Sequence, residues 1–188
     1  MGKAVFLDRD GTIIEDSGHP HERDKIRFLP RASEAIALLN KNGFKVIVVT
    51  NQAGVARGYF TEETVKEINR HIQESLAQAG ARIDTIYYCP HHVEGVIEQY
   101  RVECYCRKPN PGMIEQAARD FEIDLSSSFV IGDHMSDVQA GLRAGCRTVL
   151  LAEESHSDVE RSGAILPDRV ARNLYEAAEW VVMLGGRG

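Results

Sequence analysis

Residues 3–12 read Lys3-Ala4-Val5-Phe6-Leu7-Asp8-Arg9-Asp10-Gly11-Thr12, a short apolar run that ends on two acids and a glycine. Four apolar residues without alternation suit a strand buried on both faces, as in a parallel sheet. In extended chain, residues two apart share a face, so Asp8 and Asp10 project together, and Gly11 permits a sharp turn behind them. Two carboxylates so close repel each other unless a cation lies between them or one holds a proton. Taken alone, the string also reads as an ordinary Asp-Gly turn with solvated carboxylates. The rest of the chain decides between the two.

Outward from this strand, the sequence alternates strands with helices. A polar loop from Glu15 to Phe28 leads to Pro30, after which Ala32, Ala35, Ile36 and Leu39 repeat at helical spacing up to the stop at Gly43. Lys45 to Thr50 (KVIVVT) is a second buried strand. Thr61 is placed to cap a helix that carries Glu62 and Glu63 at its positive end and stops at Gly80. Ile83 to Tyr88 reads as a third strand, and a long loop follows it. Asn110-Pro111 starts a helix, Phe129 to Gly132 is the fourth strand, Ser136 to Ala144 a short helix, and Arg147 to Leu151 the fifth strand. Leu174 to Leu184 is the terminal helix. This order predicts one α/β domain over residues 1–188: a Rossmann-like, doubly wound parallel sheet with helices on both faces. No insertion is large enough for a separate cap domain.

Ligands of such sheets bind beyond the carboxyl ends of the strands. Asp8 and Asp10 lie at the end of the first strand, and Thr50, Asn51 and Gln52 at the end of the second. Arg107 and Lys108 precede the helix that leads to the fourth strand, and Asp133 ends that strand within Gly132-Asp133-His134-Met135-Ser136-Asp137. Acids, a hydroxyl and a lysine therefore converge on one edge of the sheet. Hard oxygen ligands there suit magnesium.

The long loop carries Cys89-Pro90-His91 and Cys104-Tyr105-Cys106, three sulfurs and an imidazole, which form a closed set for tetrahedral zinc. One-residue gaps are tighter than ordinary finger spacing, and free thiols in a loop are the plainer alternative. A loop this long without regular structure is otherwise hard to hold in order. His92 is a possible substitute ligand, and Cys146 reads as a buried thiol.

Composition bounds the remaining classes. A hydrophobic share of 43% and a charged share of 27% in 188 residues are ordinary for a globular protein. Net charge is −6 with scattered lysines and arginines, which argues against a nucleic-acid partner. No stretch approaches the roughly 20 apolar residues of a membrane span. The first strand starts at once, without a signal-peptide layout, so a cytoplasmic protein with no membrane partner is expected, and a monomer.

The four strand-end motifs in this order (DxDGT, TNQ, RKP and GDxxxD) resemble those of the haloacid dehalogenase superfamily of phosphohydrolases, from Ala4 to about Leu151. The resemblance implies that Asp8 is a nucleophile forming an aspartyl-phosphate. It implies that Asp10 is the general acid and base, a role that needs a carboxyl whose pKa its surroundings raise. Thr50 and Lys108 would hold phosphoryl oxygens. Asp8, the Asp10 carbonyl and Asp133 would hold Mg²⁺, and Cys89, His91, Cys104 and Cys106 would hold Zn²⁺. Two subfamilies share such a zinc loop, the heptose bisphosphate phosphatases and the histidinol-phosphate phosphatases. The twelve residues between His91 and Cys104, with TNQAGVARG, YYCPHH and CRKPNPGM, are more similar to the first. The implied substrate is a small phosphorylated sugar, used in nucleotide-heptose synthesis for cell-surface glycans. Asp16, Ser17, Gly18, His19, Asn51, Gln52, Ala53, Arg107, Lys108 and His134 are its implied contacts. Relatives often carry Lys or Arg where this chain has His134. His19 and His21 read equally well as solvated histidines, and Arg57 reads as a phosphate ligand or, the preferred reading, a surface residue. A polynucleotide 3′-phosphatase and a non-enzymatic phosphosugar-binding module are the more distant alternatives. The charge argues against the first, and an intact Asp8/Asp10 pair against the second.

Overall fold

A computed structural model describes residues 2–18, 22–152 and 166–185. One six-stranded sheet contains β1 (Ala4–Leu7), β2 (Lys45–Asn51), β3 (Thr85–Cys89), β4 (Phe129–Gly132), β5 (Arg147–Leu151) and β6 (Arg169–Ala171). Their spatial order is β3-β2-β1-β4-β5-β6, and every pairing is parallel. The helices are α1 (Ala32–Lys41), α2 (Ala53–Ala56), α3 (Glu62–Gln78), α4 (Gly112–Phe121), α5 (Met135–Arg143) and α6 (Leu174–Gly185). The expected doubly wound α/β architecture is therefore the one observed.

Side-chain alternation along β1 assigns the two faces of the sheet. Val5 and Leu7 pack with Ala35, Ile36 and Leu39 of α1, Ile68 and Ile72 of α3, and Ala178 and Val181 of α6. Ala4 and Phe6 pack on the other face with Ile47, Val49, Met113 and Ile114 of α4, and Ala140 of α5. Phe6 is fully buried, so truncating it to Ala would cost about 3–5 kcal/mol. The chain leaves β1 toward β2 on one side and returns to β4 on the other, which puts the switch point of the sheet at the end of β1.

Three local details depart from the expected elements. β3 begins at Thr85 instead of Ile83 because the Asp84 carboxylate accepts the Val46 N–H at 2.9 Å, replacing a ladder bond with a side chain. β6 is only three residues long, too short for periodicity to reveal. Asp168 fixes its start by accepting from the Thr148 N–H (2.7 Å) and hydroxyl (3.1 Å). α2 is a single turn that follows Gln52 directly. The cap on α3 is the expected one, with the Thr61 hydroxyl accepting from Thr64 N–H at 3.3 Å. Among the described residues, no helix is long and apolar enough to cross a membrane.

Candidate active site

A cavity of about 440 Å³ opens beyond the carboxyl ends of β1, β2 and β4. Asp8, Asp10, Thr50, Lys108 and Arg107 line it, as do Asn51, Gln52, Asp16, Gly18, His134 and Ser136. Two glycines allow acids to crowd its floor. Gly11 has φ +76°, and a Cβ there would collide with the Asp133 carboxylate. A Cβ on Gly132 would collide with Asp137.

Lys108 is the central cation. It is 4% exposed, and its Nζ lies 2.8 Å from Asp8 Oδ1, 2.6 Å from Asp137 Oδ1 and 2.7 Å from the Val49 carbonyl that accepts from it. All three N–H directions of the ammonium are thus engaged. Burial works against its charge, but Asp8 and Asp137 outweigh burial and hold its pKa above the ordinary lysine value. Asn51 clamps the Lys108 backbone at both ends: Nδ2 donates to the carbonyl, and Oδ1 accepts the N–H, each at 3.1 Å. Asp8 is the strongly perturbed acid of the site. Burial pushes its pKa up to about 7; Lys108 pulls it down, while Asp137 and Asp10 add to the rise.

Asp10 is held by a guanidinium and by an amide. Arg9, 1% exposed, reaches its carboxylate through Nε (3.2 and 3.3 Å) and Nη2 (3.0 and 3.1 Å). The Gln52 amide donates to Asp10 Oδ2 at 2.9 Å and to the Thr50 hydroxyl oxygen at 2.9 Å. The Thr50 hydroxyl itself faces Asp10 Oδ2 at 3.5 Å. Gln52 and Asn51, expected against substrate, therefore also hold Asp10, Thr50 and Lys108 in place. Arg9 was no candidate, because an arginine between two acids reads as solvent-exposed charge. Its signal lay in the strand alternation, which turns residue 9 toward the side of Val5, Leu7 and α3.

The four expected zinc ligands converge. The donor atoms of Cys89, His91, Cys104 and Cys106 all lie within 4.8 Å of one another. The thiols are free, and the Cys106 Sγ–H donates to Cys89 Sγ at 2.8 Å. His91 Nδ1 lies 3.8 Å from Cys89 Sγ and 3.6 Å from Cys106 Sγ. Donation from Cys106 lowers the Cys89 pKa to about 6 against the effect of burial, and the same bond raises that of Cys106. A thiolate is thus favoured inside the cluster, the form that binds metal. The loop has further supports. The N–H groups of Val96 and Ile97 donate to the Ala56 carbonyl at 2.8 and 3.0 Å, and Tyr100 Oη donates to Glu62 at 2.8 Å. Glu62 also accepts from Tyr88 Oη at 2.6 Å, so the first turn of α3 ties β3 to the loop. Arg107 follows the last cysteine, and its Nη1 donates to the His91 carbonyl at 3.3 Å.

Of the remaining expected contacts, Asp16 and Gly18 reach the cavity wall, with the Gly18 N–H donating to Asp16 Oδ1 at 3.0 Å. Ser17 is exposed and Ala53 is buried, and neither lines the cavity. His19 and His21 lie outside the described residues. His134 lines the cavity and is bonded through Nδ1 to Asp133 Oδ1 at 3.0 Å, which raises its pKa. Ser136, beside it, is a cavity residue that sequence reading missed. Arg57 is half-buried instead of lying free on the surface. Burial lowers the Arg107 pKa, and the charge of Arg57 lowers it further. His92 is not among the clustered ligand atoms; burial, then Arg107 and Arg57, lower its pKa. Cys146 is buried, as expected.

Residues 105–177 match the family model of HAD-hydrolase-like proteins. The chain is 47% identical over 148 residues to a D-glycero-β-D-manno-heptose-1,7-bisphosphate 7-phosphatase of Photorhabdus laumondii, covering 79% of each. It is 42% identical over 179 residues to the enzyme of that name from Escherichia coli K12, covering 95% of this chain and 87% of the other. The chain belongs to the haloacid dehalogenase-like phosphatases. A crystal structure of D,D-heptose 1,7-bisphosphate phosphatase from B. bronchiseptica, complexed with magnesium and phosphate, superposes with a TM-score of 0.84 at 34% identity. The alignment covers 97% of this chain and 99% of that one. As a phosphatase of this family, the chain is a phosphoric monoester hydrolase.

Both metals suit the donor chemistry of this phosphatase. Asp8 Oδ1 and Asp133 Oδ1 are buried oxygen atoms whose close polar neighbours are the ion-pair partners Lys108 Nζ, at 2.8 Å, and His134 Nδ1, at 3.0 Å. Buried carboxylate oxygens of this kind fit a hard divalent cation such as Mg²⁺. Three thiols and an imidazole fit Zn²⁺.

Proposed function

We propose that this phosphatase removes the 7-phosphate of D-glycero-D-manno-heptose 1,7-bisphosphate, leaves the 1-phosphate in place, and serves nucleotide-heptose synthesis for cell-surface glycans. The observation that carries the reading is one cavity with two separate cationic points, Lys108 beside Asp8 on the floor and Arg107 on the wall. A primary phosphate can enter such an uncapped cavity end-on, while the planar fork of Arg107 meets the distal phosphate. The relatives named heptose-1,7-bisphosphate 7-phosphatases support the same substrate.

In the first step an oxygen of Asp8 attacks phosphorus, and the bond to the C7 oxygen breaks. Asp10 gives its proton to that oxygen, so that an alcohol leaves. In the second step a water attacks the aspartyl-phosphate and yields its proton to Asp10. Inorganic phosphate leaves, and the Asp8 carboxylate is restored. Lys108 and the Thr50 hydroxyl hold the phosphoryl oxygens as charge shifts onto them. Asp8, the Asp10 carbonyl and Asp133 would hold Mg²⁺, which offsets the repulsion between a phosphate and these carboxylates. Cys89, His91, Cys104 and Cys106 would hold Zn²⁺ as a clamp on the loop that carries Arg107 and Lys108.

A substrate panel tests the assignment. Phosphate release should be fastest with the heptose 1,7-bisphosphate, slower with histidinol phosphate, and slowest with a 3′-phosphorylated oligonucleotide, whose polyanionic backbone meets a chain of net charge −6. A preference for histidinol phosphate would overturn the substrate and leave the hydrolase reading in place.

A further inference from the structure

We propose that Arg9 is a positioning residue for the acid–base carboxylate of Asp10, and that Asn69, inside α3, anchors Arg9. The inference rests on the role of Asp10 given above.

Arg9 is the largest fully buried side chain among the described residues. A buried guanidinium must find acceptors for its donors, because an unpaired buried charge is strongly destabilising. Arg9 finds two partners. One is the Asp10 carboxylate, met by Nε and Nη2. The other is Asn69 Oδ1, which accepts from Nη1 at 2.9 Å. Asn69 is 6% exposed and sits between Ile68 and Ile72 on the face of α3 that packs into the core. A leucine there would pack as its neighbours do. An amide in that position needs a partner, and among the described residues Arg9 provides it.

The arrangement fixes the plane of the Asp10 carboxylate from two sides. Arg9 grips it from the α3 side, and the Gln52 amide takes Oδ2 from the β2 side at 2.9 Å. A proton donor must lie within hydrogen-bond reach of the oxygen it protonates, and a displacement of about 1 Å at such a group can cost roughly 10²-fold in rate. Arg9 and Asn69 touch no reacting atom. They act through Asp10.

Leaving-group dependence separates positioning of the acid from general support of the fold. The ratio kcat/KM reports the steps through departure of the leaving group, when magnesium is saturating. Phenyl phosphate needs protonation of its poor leaving group, whereas 4-nitrophenyl phosphate hardly does. Asp10→Asn should lower kcat/KM far more for phenyl phosphate. Asn69→Leu and Arg9→Lys should lose in the same direction, about ten- to a hundredfold on phenyl phosphate and only a small factor on 4-nitrophenyl phosphate. Lysine cannot span Asp10 and Asn69 at once; should its variant fail to fold, Asn69→Leu carries the test. Equal losses on both esters in Asn69→Leu, or none, while Asp10→Asn is selective, would overturn the positioning role alone. Equal losses in Asp10→Asn as well would overturn the acid role, and this inference with it.

Discussion

Asp8 combines features that make a carboxylate costly to keep: it is mostly withdrawn from solvent, it faces Asp10 and Asp137, and Lys108 is the cation beside it. Its folded-state pKa rises from 3.8 to about 7. The folded protein therefore binds this proton more tightly than the unfolded chain does, and the associated stability is present below about pH 4 and lost as pH rises toward about 7. In magnesium-free buffer, Asp8→Asn should raise Tm relative to wild type at about pH 8 and much less at about pH 5, by scanning calorimetry. Added magnesium should narrow the gap at the higher pH by binding only the wild type well. The same variant should lose about 10³-fold or more in kcat with its fold intact, since an amide does not attack phosphorus. A variant less stable than wild type at both pH values would contradict the electrostatic reading of Asp8. Asp8, Asp10, Thr50 and Lys108 were legible in sequence because short motifs at strand ends carry them. Arg9 and Asn69 were not, because their meeting joins residues sixty positions apart through a contact that no local pattern encodes.

At the scale of elements, β1, β2, β4 and β5 stood out by their apolar stretches. β6 and the start of β3 did not, because the carboxylates of Asp168 and Asp84 make bonds that the backbone pattern cannot announce. The loop from Cys89 to Cys106 lies between these cases. Its ligands could be read from residue types, but its attachment to α2 through Ala56 and to α3 through Glu62 could not. Those attachments shape what zinc loss should do. Cys104→Ser with Cys106→Ser should bind no zinc by elemental analysis, where the wild type should bind one ion per chain. Activity should fall by up to about 10²-fold as Arg107 and Lys108 shift, while the sheet stays folded. Full activity in the double variant would sink the clamp, as would wild-type protein, purified without chelators, that holds no zinc. Replacing Tyr100 by Phe removes one bond to Glu62. It should cost about 0.5–1.5 kcal/mol of stability by denaturant titration and leave zinc content unchanged.

Across the whole molecule, the parallel sheet brings chain segments more than a hundred residues apart to one switch point, where β1 diverges from β2 and β4. That convergence is why motif order and strand order together were enough to locate the cavity. They could not define its rim, where Ser136 entered and Ser17 and Ala53 did not. Arg107 is the cavity residue proposed above to meet the distal phosphate. A hydrogen bond to a charged group contributes about 1.5–3 kcal/mol, so Arg107→Ala should lower kcat/KM roughly ten- to a hundredfold for a bisphosphate. The loss should be smaller for an aryl monophosphate, which has no second anion, and equal losses would detach Arg107 from the distal phosphate. The most direct test of the whole account follows the wild-type reaction on D-glycero-D-manno-heptose 1,7-bisphosphate by ³¹P NMR. The account predicts that the C7 phosphate signal is replaced by inorganic phosphate while the C1 signal persists. Release of the C1 phosphate, or no release from this substrate by enzyme that hydrolyses histidinol phosphate, would contradict it.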